Sequence, residues 1–334
     1  MPGVTDVTLR ERVRADYGLE VETLEAVSAG ASGRVWRATV GPSAYAVRWT
    51  YAASAAPHVA LALARTVPVR PASVVPAPAH VAPPVLTRTG STDAVHDGGR
   101  LSVEPWLDGP TGRDVPLSPP QWTAFGRLVA RVHAIDPASV PGLPRERFDP
   151  APACAALAAV EHAIERCAAA DPLAHAVVEA WQVARHRVAL VADRAVRVSG
   201  RLRARRHDEP LVVCHGDAHV GHVVATGPRD VALLDWEHAR LAPPEADLMF
   251  VLGGVLPHVP VTAEQAAAFF TGYGRVDIDD DRLVHVRCVR AVQDVVAAAT
   301  VALDPARAPA RRVAALGDLA AHLGSAGVVA AALE

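Results

Sequence analysis

The chain has 334 residues, 51% of them hydrophobic, which is enough for about two domains of roughly 150 residues with a sizeable core. Its net charge of −3 removes any electrostatic case for nucleic-acid binding. The N-terminus lacks a charged-then-apolar leader and no uninterrupted apolar run reaches about 18 residues, so a soluble cytoplasmic protein without a membrane partner is expected.

In chain order, residues 5–17 read as a short amphipathic helix, followed by strands at 19–28, 34–41 and 43–51. A glycine-containing loop (Ala29-Gly30-Ala31-Ser32-Gly33) joins the first two strands, and Gly41-Pro42 turns the second into the third. Residues 54–66 are Ala/Leu-rich and helical in character, and the Pro-rich stretch 68–84 is loop. Strands at 85–89 and 100–106 follow, joined by Asp97-Gly98-Gly99. Beyond Asp108-Gly109-Pro110 the character becomes helical, with Trp122, Phe125, Leu128, Val129, Val132 and Ile135 forming one stripe over 120–135. Further helices are expected at 152–170, 172–199, 245–256, 262–272, 279–303 and 307–332, and the arginines at 201, 203, 205 and 206 read as a solvated loop. The expected fold is α+β in two lobes, a small antiparallel β-rich lobe (1–104) and a larger, mostly helical lobe (111–334) joined by a hinge at 105–110. A cleft between lobes is a common place for a ligand.

Chemistry concentrates in two short blocks. The apolar run Leu211–Cys214 delivers His215-Gly216-Asp217-Ala218-His219, with His222 close behind; the run Val231–Leu234 delivers Asp235. Two strand ends bearing acids and imidazoles can converge on one cation-filled volume, as phosphoryl transfer requires. The plain structural reading makes Asp217 a turn cap and Asp235 a strand-end turn opener. The cysteines at 154, 167, 214 and 288 have no metal-ligand spacing and point to a reducing compartment. There is no lysine and no asparagine, so all 33 basic residues counted beside histidine are arginine, and a Walker A motif is excluded.

His215-Gly216-Asp217, His222 and Leu234-Asp235-Trp236-Glu237, in this order, resemble the aminoglycoside phosphotransferase and choline kinase family, relatives of the protein kinases. The stretch Ala239–Phe250 and Gly272-Tyr273-Gly274 extend the resemblance toward the spectinomycin phosphotransferase branch. The resemblance implies a magnesium-dependent O-phosphotransferase that moves the γ-phosphoryl of ATP or GTP to a hydroxyl of a small molecule, in resistance or self-protection. Its acceptor would be an aminoglycoside, macrolide or nucleoside-type antibiotic. Asp217 is then the catalytic base and Asp235 a magnesium ligand. His222 stands where the family usually has Asn and macrolide phosphotransferases tend to have His, which implies a metal contact there. Arg48 takes the place of the strand-three lysine, although residues 54–66 contain no carboxylate to pair with it. Gly30, Ser32 and Gly33 would cover the triphosphate, and the Glu104 carbonyl and Trp106 N–H would meet the purine. His215 and Asp247 would brace the catalytic loop. Asp108, Glu237, His238 and the acidic run 277–281 are candidates for the acceptor pocket. Three rivals stay open: a kinase of choline, a sugar or a homoserine-like alcohol; a non-catalytic nucleotide binder; and a metal-dependent hydrolase built on His215, Asp217, His219 and His222.

Overall fold

The computed structural model describes residues 6–29, 33–51, 59–60, 62–63, 83–167, 171–205, 211–253 and 260–334. Gly30, Ser32 and most of the expected helix 54–66 lie outside them. The chain forms two compact units, each discontinuous in sequence. One gathers 1–144, 212–241 and 267–274; the other gathers 145–211, 242–266 and 275–334.

The first unit begins with helix α1 (Asp6–Tyr17) and an antiparallel sheet of β1 (Thr23–Ala29), β2 (Gly33–Val40), β3 (Ser43–Thr50), β4 (Ala94–His96) and β5 (Gly99–Pro105). The strand order is β1-β2-β3-β5-β4. Alternation puts Trp36, Val47, Trp49, Leu101 and Val103 on the face that buries Leu9, Val13 and Tyr17 of α1. The tip between β4 and β5 explains its Asp-Gly signal: Asp97 and Gly98 have φ of 46° and 74°, and His96 pairs with Gly99, the geometry of a two-residue hairpin turn with both central residues left-handed. Residues 85–89 are not a strand. Their apolar character is used instead to pin a loop, with Val85 N–H donating to the Val103 carbonyl (2.7 Å) and Arg88 N–H to Asp16 (2.7 Å).

The same unit holds helix α2 (Pro119–His133), whose start is marked by proline and by Ser118 N–H donating to Gln121 Oε1 at 2.8 Å. It packs against the C-terminal part of α6 (Ala263–Tyr273) through Phe125 and Phe269, with ring centroids 5.2 Å apart. The β7–β8 hairpin (Val223–Gly227, Asp230–Leu233) and the short β6–β9 pair (Val212–Cys214, Arg240–Ala242) carry the site loops.

The second unit is helical: α3 (Ala151–Glu165), α4 (Pro172–Ala204), α5 (Glu245–Leu248), α7 (Asp280–Leu303), α8 (Pro309–Leu323) and α9 (Val328–Ala331). Helix α4 buries Val177, Trp181, Ala184, Val188, Val191, Ala195, Val198 and Leu202, a regular 4-3 spacing that keeps one seam against a partner helix. Each fully buried Val or Leu on that seam contributes about 1.5–3 kcal/mol before chain entropy is subtracted. The helix runs past the expected end at 199, so Arg201 and Arg203 are helical rather than loop residues. Arg201 and Arg205 pair with Asp281, and Arg205 also with Asp279 at 2.7 Å. The helix expected at 245–256 stops at Leu248, and the one at 307–332 breaks between Leu323 and Val328. By length and composition the stretch Pro309–Ala331 is apolar enough to cross a membrane. It is nonetheless tied into the helical unit by buried Arg312, which binds Asp171 at 2.5 Å and the Ala302 carbonyl at 2.8 Å.

Candidate active site

Arg48, His215, Asp217, His219, His222 and Asp235 all belong to the first unit. Strand β6 ends in Cys214 and leads into His215-Gly216-Asp217, and Gly216 has φ of 81°. A Cβ at Gly216 would lie 2.2 Å from the His238 carbonyl oxygen, so only glycine lets this loop approach the turn after Asp235. His215 is fully buried; its Nδ1 accepts from Asp217 N–H at 3.2 Å and its Nε2–H donates to the Leu234 carbonyl at 2.8 Å. Both ring nitrogens are therefore occupied in tying the two strand ends together, which is a bracing role and leaves neither for a metal.

Asp217, only 6% exposed, sits in a chain of charge: His219 Nε2 is 3.7 Å from its Oδ1, His222 Nδ1 is 3.7 Å from its Oδ2, and His222 Nε2 is 3.7 Å from Asp235 Oδ2. Arg48 Nη1 closes the line 3.6 Å from Asp235 Oδ1. Backbone partners assign the protons in the neutral rings. His219 Nδ1 accepts from Gly221 N–H at 3.0 Å, so its proton is on Nε2, facing the Asp217 carboxylate. His222 Nδ1 lies 2.9 Å from the Asp217 carbonyl oxygen, which can only accept; the proton is on Nδ1 and the Nε2 lone pair faces Asp235. The rings of His219 and His222 stack with centroids 4.0 Å apart. Sequence reasoning gives His219 a role only in the metal-dependent hydrolase rival; its spacing to His222 is visible there, its stacking is not.

Asp235 follows β8 with φ of 63°, a left-handed conformation that Asp tolerates and most residues do not. Its Oδ1 is buried without a hydrogen-bond partner. A lone pair on His222 Nε2 facing one carboxylate oxygen, beside a second oxygen that accepts no hydrogen bond and has the Arg48 guanidinium 3.6 Å away, is a donor set that fits a divalent cation. Asp217, His219 and His222 also bring potential ligand atoms within 4.8 Å of one another. Protonation of His219 at Nε2 and the full occupation of His215 argue against the four-residue hydrolase set.

Gly33 opens β2, where a Cβ would meet the Trp49 carbonyl at 2.0 Å, so only glycine allows the close strand approach there. The Trp106 N–H is already engaged, donating to the Ala44 carbonyl at 2.9 Å. That bond makes 44 and 106 a hydrogen-bonded pair, and the alternation of an antiparallel ladder then turns the Glu104 backbone groups toward Ala46. The expected purine contacts at the Glu104 carbonyl and Trp106 N–H are corrected accordingly: strand pairing uses those groups. The Glu104 side chain, which the sequence reading passed over, is instead electrostatically coupled to Arg48 and Asp235; burial pushes its carboxyl upward, Arg48 opposes the rise and Asp235 adds to it. Glu237 and His238 lie in the turn after Asp235, 3.7 Å apart, and Asp108 is exposed. Asp247 is buried in α5 of the second unit. In the acidic run, Asp279 caps α7 by accepting from Arg282 N–H at 3.0 Å, and Asp281 is paired with arginine, so these two serve structure.

Comparison with known proteins gives a consistent picture. Residues 23–284 match the model of the phosphotransferase enzyme family, APH. A search of curated proteins returned no match. A spectinomycin phosphotransferase solved with ADP and spectinomycin is similar at TM-score 0.81 and 20% identity, over 100% of this chain and 98% of that one. A hygromycin-binding aminoglycoside phosphotransferase, a thermostable mutant solved with AMP-PNP and hygromycin B, is similar at TM-score 0.55 and 16% identity, over 95% and 99%. An amicoumacin kinase solved with AMP-PNP and Ca2+ is similar at 0.59 and 16%, over 95% and 92%. These likenesses establish a shared kinase-like fold.

Proposed function

Because this chain belongs to the phosphotransferase enzyme family, we propose that it is a magnesium-dependent O-phosphotransferase that moves the γ-phosphoryl of ATP or GTP to a hydroxyl of a small-molecule antibiotic. The observation that carries the reading is the unbroken line Asp217–His222–Asp235–Arg48, with neighbouring side-chain atoms 3.6–3.7 Å apart. In this reading the line supplies a carboxylate to act as base, two groups to hold metal and a guanidinium to meet phosphate. Solved proteins of this fold hold spectinomycin or hygromycin B, which makes an aminocyclitol the first acceptor to try.

His222 Nε2 and Asp235 are the residues that would hold magnesium. Bound there, the ion supplies neutralising charge to the β and γ phosphates. The chain's own residues do the rest. Arg48 offers a two-pronged guanidinium to phosphate oxygens. Asp217 accepts a hydrogen bond from the acceptor hydroxyl and aims its oxygen at the γ-phosphorus. The oxygen–phosphorus bond forms as the bond from the γ-phosphorus to the β–γ bridging oxygen breaks; the hydroxyl proton passes to the Asp217 carboxylate and the nucleoside diphosphate leaves with the electron pair. His219 Nε2–H points at the same carboxylate and steadies its orientation. By strand alternation, Val103 and Pro105 turn their backbone groups away from β3, as the Val85 bond to Val103 illustrates. The purine edge is therefore assigned to the Pro105 carbonyl and the Leu107 N–H.

The test is transfer of labelled γ-phosphate in the presence of magnesium to a panel holding spectinomycin, hygromycin B, a macrolide, a nucleoside antibiotic, choline and simple sugars. A phosphorylated antibiotic is expected, and Asp217→Asn should lower turnover by about 10²–10⁴-fold. Turnover of that variant within about tenfold of the parent removes Asp217 from the base role; product only from choline or a sugar replaces the antibiotic assignment.

A further inference from the structure

Arg48 can serve the phosphotransferase reading, on which this inference rests, only if something holds its guanidinium toward the nucleotide. In protein kinases a helix glutamate does this for the corresponding lysine. Here no Asp or Glu occurs between Arg48 and Asp93. Asp93 is itself committed to Arg100, through two bonds of 2.7 and 3.0 Å. The segment that would supply the helix carboxylate therefore cannot supply one.

Strand β5 brings a carboxylate from the opposite direction. In the β3–β5 register Arg48 faces Ser102 and Ala46 faces Glu104. Side chains two apart share a face, so Arg48 and Glu104 are diagonal neighbours, about 7–8 Å apart at the backbone and within reach for two long side chains. Glu104 is only partly exposed, and it interacts electrostatically with Arg48 and with Asp235. Arg48 is thus bracketed by two acids, Asp235 at 3.6 Å and Glu104 along the strand. A second acid kept beside Asp235 and away from water costs stability, a cost that packing alone would avoid with glutamine.

We propose that the Glu104 carboxylate is the positioning residue for Arg48, keeping its guanidinium on the phosphate side when Asp235 turns to the metal–nucleotide complex. The role of the kinase helix glutamate has moved to a strand. It is distinct from a backbone contact to the purine, because it requires the side-chain charge.

The test is a double-mutant cycle on nucleotide affinity. Binding of AMP-PNP with magnesium is measured by calorimetry for the parent, Glu104→Gln, Arg48→Gln and the double variant, alongside kcat and KM for the acceptor found in the panel. Glu104→Gln should weaken nucleotide binding and raise nucleotide KM by about tenfold. It should add nothing once Arg48 is Gln, and Glu104→Asp should recover part of the loss. Affinity of Glu104→Gln within twofold of the parent, or losses that multiply in the double variant, overturn the assignment. Should the Gln variant fail to fold, Glu104→Asp decides, since undiminished affinity after shortening the side chain overturns it equally. A parent that binds no magnesium–nucleotide sinks the phosphotransferase reading and this role with it; a parent that binds normally beside an unaffected variant sinks the role alone.

Discussion

Asp235 and His222 show how much one residue's local geometry decides here. Asp235 is held at a positive φ that most residues avoid, at a cost of about 1–2 kcal/mol, and the reward is a carboxylate with one oxygen toward His222 and the other toward Arg48. His222 could have carried its proton on either nitrogen; the Asp217 carbonyl decides for Nδ1 and so leaves Nε2 as a donor atom. Nitrogen is a poorer partner than oxygen for magnesium and a better one for manganese. His222→Asn should therefore keep the donation to the Asp217 carbonyl through its amide and shift ion preference toward magnesium, on the order of tenfold in the Mn2+/Mg2+ affinity ratio. Manganese paramagnetic resonance, competed with magnesium in the presence of AMP-PNP, reads that ratio directly; an unchanged ratio means the ring does not touch the ion.

Among elements, the crossing of α2 with α6 positions the floor beneath the site strands, and it depends on two glycines. A Cβ at Gly126 would lie 2.0 Å from the Phe269 carbonyl oxygen, and one at Gly272 would lie 1.9 Å from the Thr123 carbonyl oxygen. Both obstacles are backbone, so neither can swing aside, and the helices would have to separate. Gly272→Ala is expected to destabilise the protein by about 1–3 kcal/mol in urea unfolding. Gly317, in α8 with nothing within 4 Å, is the control: Gly317→Ala should stabilise by about 0.5–1 kcal/mol. Equal effects from both substitutions would refute the close-contact account. The strand register matters in the same way, because a one-residue difference decides which backbone groups of β5 pair with β3 and which are turned away from it.

For the whole molecule, ion pairs set the acid limit of the helical unit. A hydrogen bond from Arg312 holds the Asp171 carboxyl below the usual aspartate range, and one from Arg201, with Arg205 adding to it, does the same for Asp281. A carboxyl depressed on folding contributes stability that is fully present above its unfolded value, near 3.9, and is lost as pH falls through the lower folded value. Thermal melts should show the midpoint dropping more steeply below about pH 4. Arg312→Gln should flatten that drop by removing the Asp171 part; a parallel curve for the variant would show that this pair contributes nothing to the acid limit. The four cysteines carry no disulfide, and burial pushes the Cys288 thiol up to about 11, so the unit relies on packing and charge for its integrity.

The sequence by itself determined the plan of a β-rich part followed by a helical part, because strand alternation, the Asp-Gly hairpin and the apolar stripe over 120–135 are local patterns written in residue type; the kinase-like character came from the resemblance carried by HGD and DWE. It also determined the acid and imidazole set, since HGD and DWE each follow an apolar strand and need only local chain geometry to present their side chains. Helix ends were less legible: the short α5 answers to packing that no local signal announces, whereas the break after Leu323 falls at Gly324 and Gly327, a stop signal that the longer apolar pattern obscures. What only the tertiary structure decided was every relation across strands and loops. It put the proton of His222 on Nδ1 through a carbonyl five residues away, took the Trp106 N–H for Ala44, and set Glu104 diagonally across the strand pair from Arg48. Those outcomes depend on which groups of distant segments face each other, and pairing of that kind is fixed by register and burial rather than by the residues next in line.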